Sequence, residues 1–467
     1  MTRLKLLEEM PGNFGLPILG ETLELISTQG WGLAKNYQRY GPVFKIRVLG
    51  KNHAVLVGPE ASRVMLQEKA DCVSSYLGWG PTMEHIFGRP MMLQDGEEHR
   101  HTRRLMAPAF HGKAIANYFE CMHSEVDRCL SQWLERGTVP LKNEFNQLAL
   151  RIGIRLLLGV QVEREIEQIE QWYSTLVQGA LALLRWDVPF TKYGRSQNAR
   201  RQLRQLLQDI ISDRKRQGNL QESRDVLGLF LASVDEEGNA LAESQIIDEM
   251  IHLLNGAHFT TATSLTWALV ELGARPEWRE RLRQELERVL LSKPLNLGHL
   301  KQLTQMTYFL KEVERVYNPA GVVLFRGVIK EFEYAGYRIP PGWGVIVAQG
   351  LTHRLPELYV EPDVFDPDRF APPREEDKKH PFALIGFGGG EHTCIGMEFA
   401  NMEMKLFLAT LLRHYDWSIM PEYQKIFPAK LPFRVEKVLQ ARLQIRDRTP
   451  LRASIHKQTS IPLDSVS

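Results

Sequence analysis

The chain has 467 residues, 43% of them hydrophobic and 24% charged, an ordinary globular composition that excludes a disordered protein. Its 58 basic and 56 acidic side chains leave a formal net charge of +2, so nothing marks a dedicated nucleic-acid binder. Four cysteines without regular spacing exclude a disulfide framework and point to reduced thiols in a cytoplasmic setting.

At about 150 residues per domain the length allows three units. No linker, repeat or low-complexity tract divides it, so a single domain over residues 1–467 is expected. Met1–Met10 lacks the apolar core of a signal peptide, and no run of about 18 apolar residues predicts a membrane span. Pro11–Gly20 reads as irregular, turn-rich chain. Val43–Leu49 and Ala54–Val57, separated by Gly50-Lys51-Asn52, predict a hairpin. From about Glu97 onward the texture is helical. Leu203, Leu206, Leu207, Ile210 and Ile211 mark a helix with one buried face. Ile246–Leu272 is apolar, long and free of proline, and predicts a central helix buried over most of its length. Strand-like pieces return at Glu333–Ile339 and Val345–Val347, with Pro340-Pro341-Gly342 turning between them. Pro372–His380 reads as a charged surface loop, and the tail 450–467 carries no assignment. The expected class is mainly α with a small β part, drawn from about 11–60 and 320–370.

The segment Phe387-Gly-Gly-Gly-Glu-His-Thr-Cys394-Ile-Gly396 carries the chemistry. A dinucleotide reading of its glycines fails, because Glu391 stands where G-x-G-x-x-G needs the third glycine. The glycines permit close backbone approach and leave amides free to face a sulfur. Phe399, Met402, Leu406 and Leu408 predict a following helix. Cys394 then sits at its N-terminus, where the helix dipole favours a thiolate. Upstream, Glu312-Val-Glu-Arg315 places an acid and a base on one helix face, and Phe365-Asp-Pro-Asp-Arg369-Phe370 supplies a second arginine.

Phe387, Gly388, Gly390, His392, Cys394 and Gly396, with Glu312, Arg315 and Arg369, resemble the cytochrome P450 family. The texture of Gly15–Thr22, Trp79–Pro81 and Gly96–Arg104 is similar to its cyanobacterial and animal retinoic-acid-hydroxylating branch. The resemblance implies a triangular helical body with heme b (iron protoporphyrin IX) between the central helix and the cysteine-loop helix. It implies Cys394 as the thiolate ligand of iron, which favours O–O cleavage. Glu312, Arg315 and Arg369 become a buried cluster bracing the loop. His99, Arg103, Arg326 and His392 match the family's propionate contacts; a zinc reading of His99 with His101 finds no further spaced ligands.

On the central helix the chain reads Asn255-Gly-Ala-His-Phe-Thr-Thr261, where the family places an acid before threonine. Thr260 matches the oxygen-side threonine, and Ala257 keeps a small residue against heme. Phe259 stands where the acid belongs. Thr260 with water held by Asn255 is one relay for protons. Peroxide use, or rearrangement of an already oxidised substrate, is the alternative.

The implied function is hydroxylation of a lipophilic molecule, retinoid, terpenoid or fatty-acid-like, in a pocket that draws on Trp79, Leu184, Trp186, Phe190, Phe259 and Val322. A non-catalytic heme sensor is the reading from another class. No flavin or nicotinamide motif is present, so electrons come from a ferredoxin or flavodoxin type donor. Arg100, Arg104, Lys113 and Lys405 offer a basic face for it. Arg195–Arg216 is a basic amphipathic helix, read as solvated rather than membrane-bound. A cytoplasmic monomer is expected.

Overall fold

The computed structural model describes residues 9–446 except 29, 181, 183, 219, 322–323 and 421–438. Two short helices, α1 (Thr22–Ser27) and α2 (Leu33–Tyr40), precede the hairpin of β1 (Val43–Val48) and β2 (Lys51–Leu56). Val48 pairs with Lys51, so the turn is only Leu49–Gly50, with φ of 50° and 75°. The hairpin is thus tighter than the three-residue break expected from the sequence. Next come α3 (Pro59–Arg63), β3 (Val73–Ser74) and α4 (Ser75–Phe87), so helical structure begins well before Glu97.

The helical body runs through α5 (Gly96–Met106), α6 (Gly112–Arg136), a short β4 (Thr138–Pro140) and α7 (Leu141–Gly153). It continues with α8 (Glu163–Gln178), α9 (Lys192–Gln217) and α10 (Val226–Ala232). Then α11 (Glu243–Ala274) crosses the molecule, followed by α12 (Pro276–Leu290), α13 (Leu297–Gln302) and α14 (Thr304–Tyr317). As its apolar composition predicts, α11 is buried on all sides over its second half, from Thr261 to Leu272. On α9 the predicted stripe holds. Leu203, Leu207 and Ile211 are buried, each contributing about 1.5–3 kcal/mol over exposure, and Leu206 and Ile210 pack at its edge.

Strands β5 (Leu324–Val328), β6 (Phe332–Tyr334), β7 (Tyr337–Ile339) and β8 (Gly344–Val347) follow. Glu333–Ile339 is therefore not one strand. It folds back at Ala335–Gly336, where both residues take positive φ, and β6 pairs antiparallel with β7. The main sheet has the order β1-β2-β8-β5-β3, with β2 and β8 parallel, so the two β-rich stretches of the sequence meet in one layer. The chain ends its described course with α15 (Gln349–Thr352), α16 (Met397–His414), β9 (Tyr415–Ile419) and β10 (Gln440–Ile445). The last two strands join β4 in a small sheet that the sequence reading did not anticipate. Among the described residues no helix is long and apolar enough to cross a membrane. The tail 450–467 lies outside the described residues.

Candidate active site

Glu312 and Arg315 sit one turn apart on α14 and are both fully buried. Glu312 Oε2 accepts Arg315 Nε at 2.7 Å, and Oε1 accepts Arg315 Nη2 at 2.8 Å. Oε1 also accepts the Asp366 amide at 2.8 Å and Arg369 Nε at 3.1 Å. Arg369, likewise fully buried, reaches Glu376 Oε2 at 2.7 Å. The expected three-residue cluster is thus present, and it has a fourth member. Glu376 lies in the stretch expected to be a solvated loop, yet it is buried, because two guanidiniums around one carboxylate need a second counter-charge.

The brace reaches the cysteine loop by two routes. Arg315 Nη1 donates to the His353 carbonyl at 2.9 Å, and His353 Nε2 accepts the Ile385 amide at 3.0 Å. Burial pushes the His353 imidazole down to about 3, so it is neutral and free to accept there. One residue on, the Gly386 amide donates to Glu314 Oε1 at 2.9 Å. Within the loop, Cys394 N donates to the Phe387 carbonyl at 2.8 Å, closing it into a compact turn. Gly390 has φ of 63°, and a Cβ there would lie 1.9 Å from the Leu66 carbonyl oxygen. Only glycine allows that approach.

Cys394 lies two residues before Gly396, the N-cap of α16. The residue is exposed at the surface, and yet the protein packed around its sulfur pushes the thiol up. The Gly396 amide and Arg103 act in the opposite direction and are outweighed. A metal held by this sulfur would deprotonate it outright, whatever its resting state. On α11, Gly256 is exposed with nothing within 4 Å of a notional Cβ, and Thr260 Oγ1 donates to the Gly256 carbonyl at 2.9 Å.

His99 and Arg103 on α5, Arg326 on β5 and His392 of the cysteine loop come together as expected. The His99 and His392 rings stack with centroids 4.0 Å apart. Burial first, then Arg326, His99 and Arg103, push His392 far down. Burial also lowers His99, with Arg103 adding to it, and lowers Arg326 to about 10. Among the described residues no carboxylate forms an ion pair with any of the four. His99 Nδ1 is buried without a hydrogen-bond partner, and Arg326 Nη1 has only the Phe325 carbonyl at 2.9 Å. Two guanidiniums and two imidazoles facing one place call for an anion. A heme brings two carboxylates, and the Cys394 thiol beside this cluster suits its iron. The residues present fit the group.

The proton-relay candidates are less simply placed. Asn255 Oδ1 accepts from Tyr173 Oη of α8 at 3.1 Å, which ties it to the neighbouring helix. Phe259 is 48% exposed, and Lys142 Nζ of α7 stands 4.7 Å from its ring centroid while also bonding Thr263 Oγ1. A cation thus stands beside the position where the family carries its acid. Of the pocket residues, Leu184, Trp186 and Phe190 are exposed, and Val322 lies outside the described residues. The basic face is largely committed within the chain. Arg100 pairs with Glu97 and Glu391, Arg104 with Glu97, and Lys405 donates to the Leu300 carbonyl. On α9, Arg201, Arg214 and Lys215 pair with Asp187, Asp225 and Glu243.

Sequence reasoning missed Glu314, His353, Glu376 and Lys142. Each is an ordinary charged or polar residue until the fold brings it to the loop, the brace or the central helix.

The family model for cytochrome P450 matches residues 10–442. A Synechocystis protein, putative cytochrome P450 120, is 34% identical over 421 residues, covering 90% of this chain and 93% of that one. Cytochrome P450 26A1 of Gallus gallus is 31% identical over 438 residues, covering 90% and 88%. The solved structure of retinoic acid-bound cyanobacterial CYP120A1 superposes with a TM-score of 0.84 at 31% identity, covering 95% of this chain and 100% of that one. With the family model matched over residues 10–442 and three-dimensional similarity over 95% of the chain, this chain belongs to the cytochrome P450 family of heme-dependent monooxygenases.

Proposed function

We propose that this protein hydroxylates a lipophilic small molecule of retinoid, terpenoid or fatty-acid type, with Cys394 as the ligand of the heme iron. One observation carries the assignment: Arg103, Arg326, His99 and His392 converge without an ion-paired carboxylate among the described residues, Asp95 and Glu391 acting only at longer range, beside the loop that presents the Cys394 thiol. When bound, thiolate-ligated heme supplies dioxygen activation and transfer of one oxygen atom to carbon. The chain's own residues do the rest. Arg103 and Arg326 would hold the propionates, and the Gly396 amide donates to the sulfur. The exposed Gly256 leaves room on α11. Thr260 keeps its hydroxyl proton on the Gly256 carbonyl, one turn back, from where it can pass to a bound ligand. The substrate class rests on relatives that include a retinoic acid-bound structure and an abscisic acid 8'-hydroxylase, and on the exposed Leu184, Trp186 and Phe190. Electrons arrive from a separate ferredoxin or flavodoxin type protein.

Phe259 favours a second reading, a peroxide-dependent or isomerase-type enzyme, because phenylalanine relays no proton. One experiment separates them: incubation with a retinoid, terpenoid and fatty-acid panel, using ferredoxin with its reductase in one arm and peroxide alone in the other. Hydroxylated product in the first arm supports the monooxygenase reading. Product only with peroxide supports the second, and none in either arm overturns both.

A further inference from the structure

Glu314 is the charged residue of the Glu312–Arg315 turn that does not join the Arg369 cluster. Glu312 and Arg315 turn toward Arg369, whereas Glu314 points toward the chain that leads into the cysteine loop. Its Oε1 accepts the Gly386 amide at 2.9 Å, one residue before Phe387, whose carbonyl in turn receives the Cys394 amide at 2.8 Å. The fit is close. A Cβ at position 386 would lie 2.4 Å from Glu314 Cγ and 2.5 Å from Oε1, so the carboxyl group occupies the space that glycine leaves. Glu314 is also felt electrostatically at the Cys394 thiol, and among the described residues it has no ion-pair partner. A carboxyl placed in protein interior with no ion-paired cation, at the base of this loop, is costly to keep unless it does something there.

We propose that Glu314 is a positioning residue for the metal-ligating cysteine: it clamps the Gly386 amide to α14 and so fixes the loop that presents Cys394. The proposal rests on Cys394 being the iron ligand. The clamp is a single hydrogen bond from an amide to a carboxyl oxygen, and it needs both partners, glycine at 386 for space and an acceptor at 314. Glutamine keeps the acceptor; leucine does not.

The test uses heme-loaded full-length protein and follows how long the reduced carbon monoxide complex keeps its thiolate absorption band before decaying to the band of a lost or protonated thiolate. Glu314→Leu is expected to decay roughly tenfold faster than wild type, the factor that leaving one buried amide without its acceptor carries. Glu314→Gln is expected to hold the wild-type lifetime. Glu314→Ala and Gly386→Ala should each decay like Glu314→Leu, and the Glu314→Ala/Gly386→Ala pair should be no worse than either of those single variants, since removing the carboxyl makes room for the methyl group. Urea unfolding of the same proteins separates loop positioning from global stability. Wild-type decay in Glu314→Leu, or strictly additive effects of the two sites, would overturn the clamp. Absence of the thiolate band in wild type would instead overturn the ligand assignment beneath it.

Discussion

Glu312→Gln tests the brace most sharply because it changes one atom. The carboxylate accepts four hydrogen bonds, from Arg315 Nε and Nη2, the Asp366 amide and Arg369 Nε, with Glu312, Arg315 and Arg369 all fully buried. An amide in the same place keeps the acceptor at Oε1 but turns the Oε2 position into a donor facing Arg315 Nε. It also leaves two buried guanidiniums with Glu376 as the remaining buried carboxylate of the cluster. Removing one partner of a buried pair costs about 3–5 kcal/mol, set against a total of about 5–15 kcal/mol for a folded protein. Arg315 retains carbonyl acceptors on His353, Pro362 and Val364, which places the expected loss near 3 kcal/mol rather than above that range. Urea unfolding followed by circular dichroism should show the midpoint falling with an unchanged slope. The loop should loosen with the brace, because His353 links Arg315 to Ile385. A Glu312→Gln protein within about 0.5 kcal/mol of wild type, well below the cost of breaking a buried pair, would refute this reasoning.

Phe259→Glu places a carboxylate near Lys142 Nζ, which stands 4.7 Å from the present ring, so the new charge has a cation at hand. The ratio of product to NAD(P)H consumed should rise, and an unchanged ratio from an already coupled wild type would show that Thr260 and water suffice. Arg326→Ala removes the buried guanidinium proposed to hold a propionate. Heme transfer to apomyoglobin should speed up on the order of tenfold or more, and an unchanged rate would remove Arg326 from the cradle. Glu403 on α16 is buried with neither oxygen hydrogen-bonded, and burial raises it from 4.5 to about 8. Its native state therefore prefers the proton, so this group's contribution is full below pH 4.5 and is lost as pH rises toward 8. Glu403→Gln should flatten that decline in urea titrations; an identical pH profile would assign it to other groups.

Much of the architecture was legible because single segments carry it. The apolar, proline-free run of α11 and the stripe Leu203, Leu207, Ile211 on α9 encode burial locally, and the structure keeps both. Glu333–Ile339 misled because β-favouring residues flank Ala335–Gly336, and the positive φ of that pair is a backbone property that alternation does not report. Of the site, the motif residues were legible and their supports were not. Glu376 sits in a charged run that reads as solvated, and only the convergence of Arg369 and Arg374 buries it. Glu314 looks like a helix-surface acid until residue 386 folds back onto it.

The central claim is that Cys394 binds the heme iron as a thiolate. The most direct measurement is the absorption spectrum of the reduced, carbon monoxide-bound holoprotein. Wild type should show the long-wavelength band from which the family takes its name. Cys394→Ser, loaded with heme, should lack it. Survival of that band in the serine variant, or its absence from folded, heme-loaded wild type, would contradict the assignment.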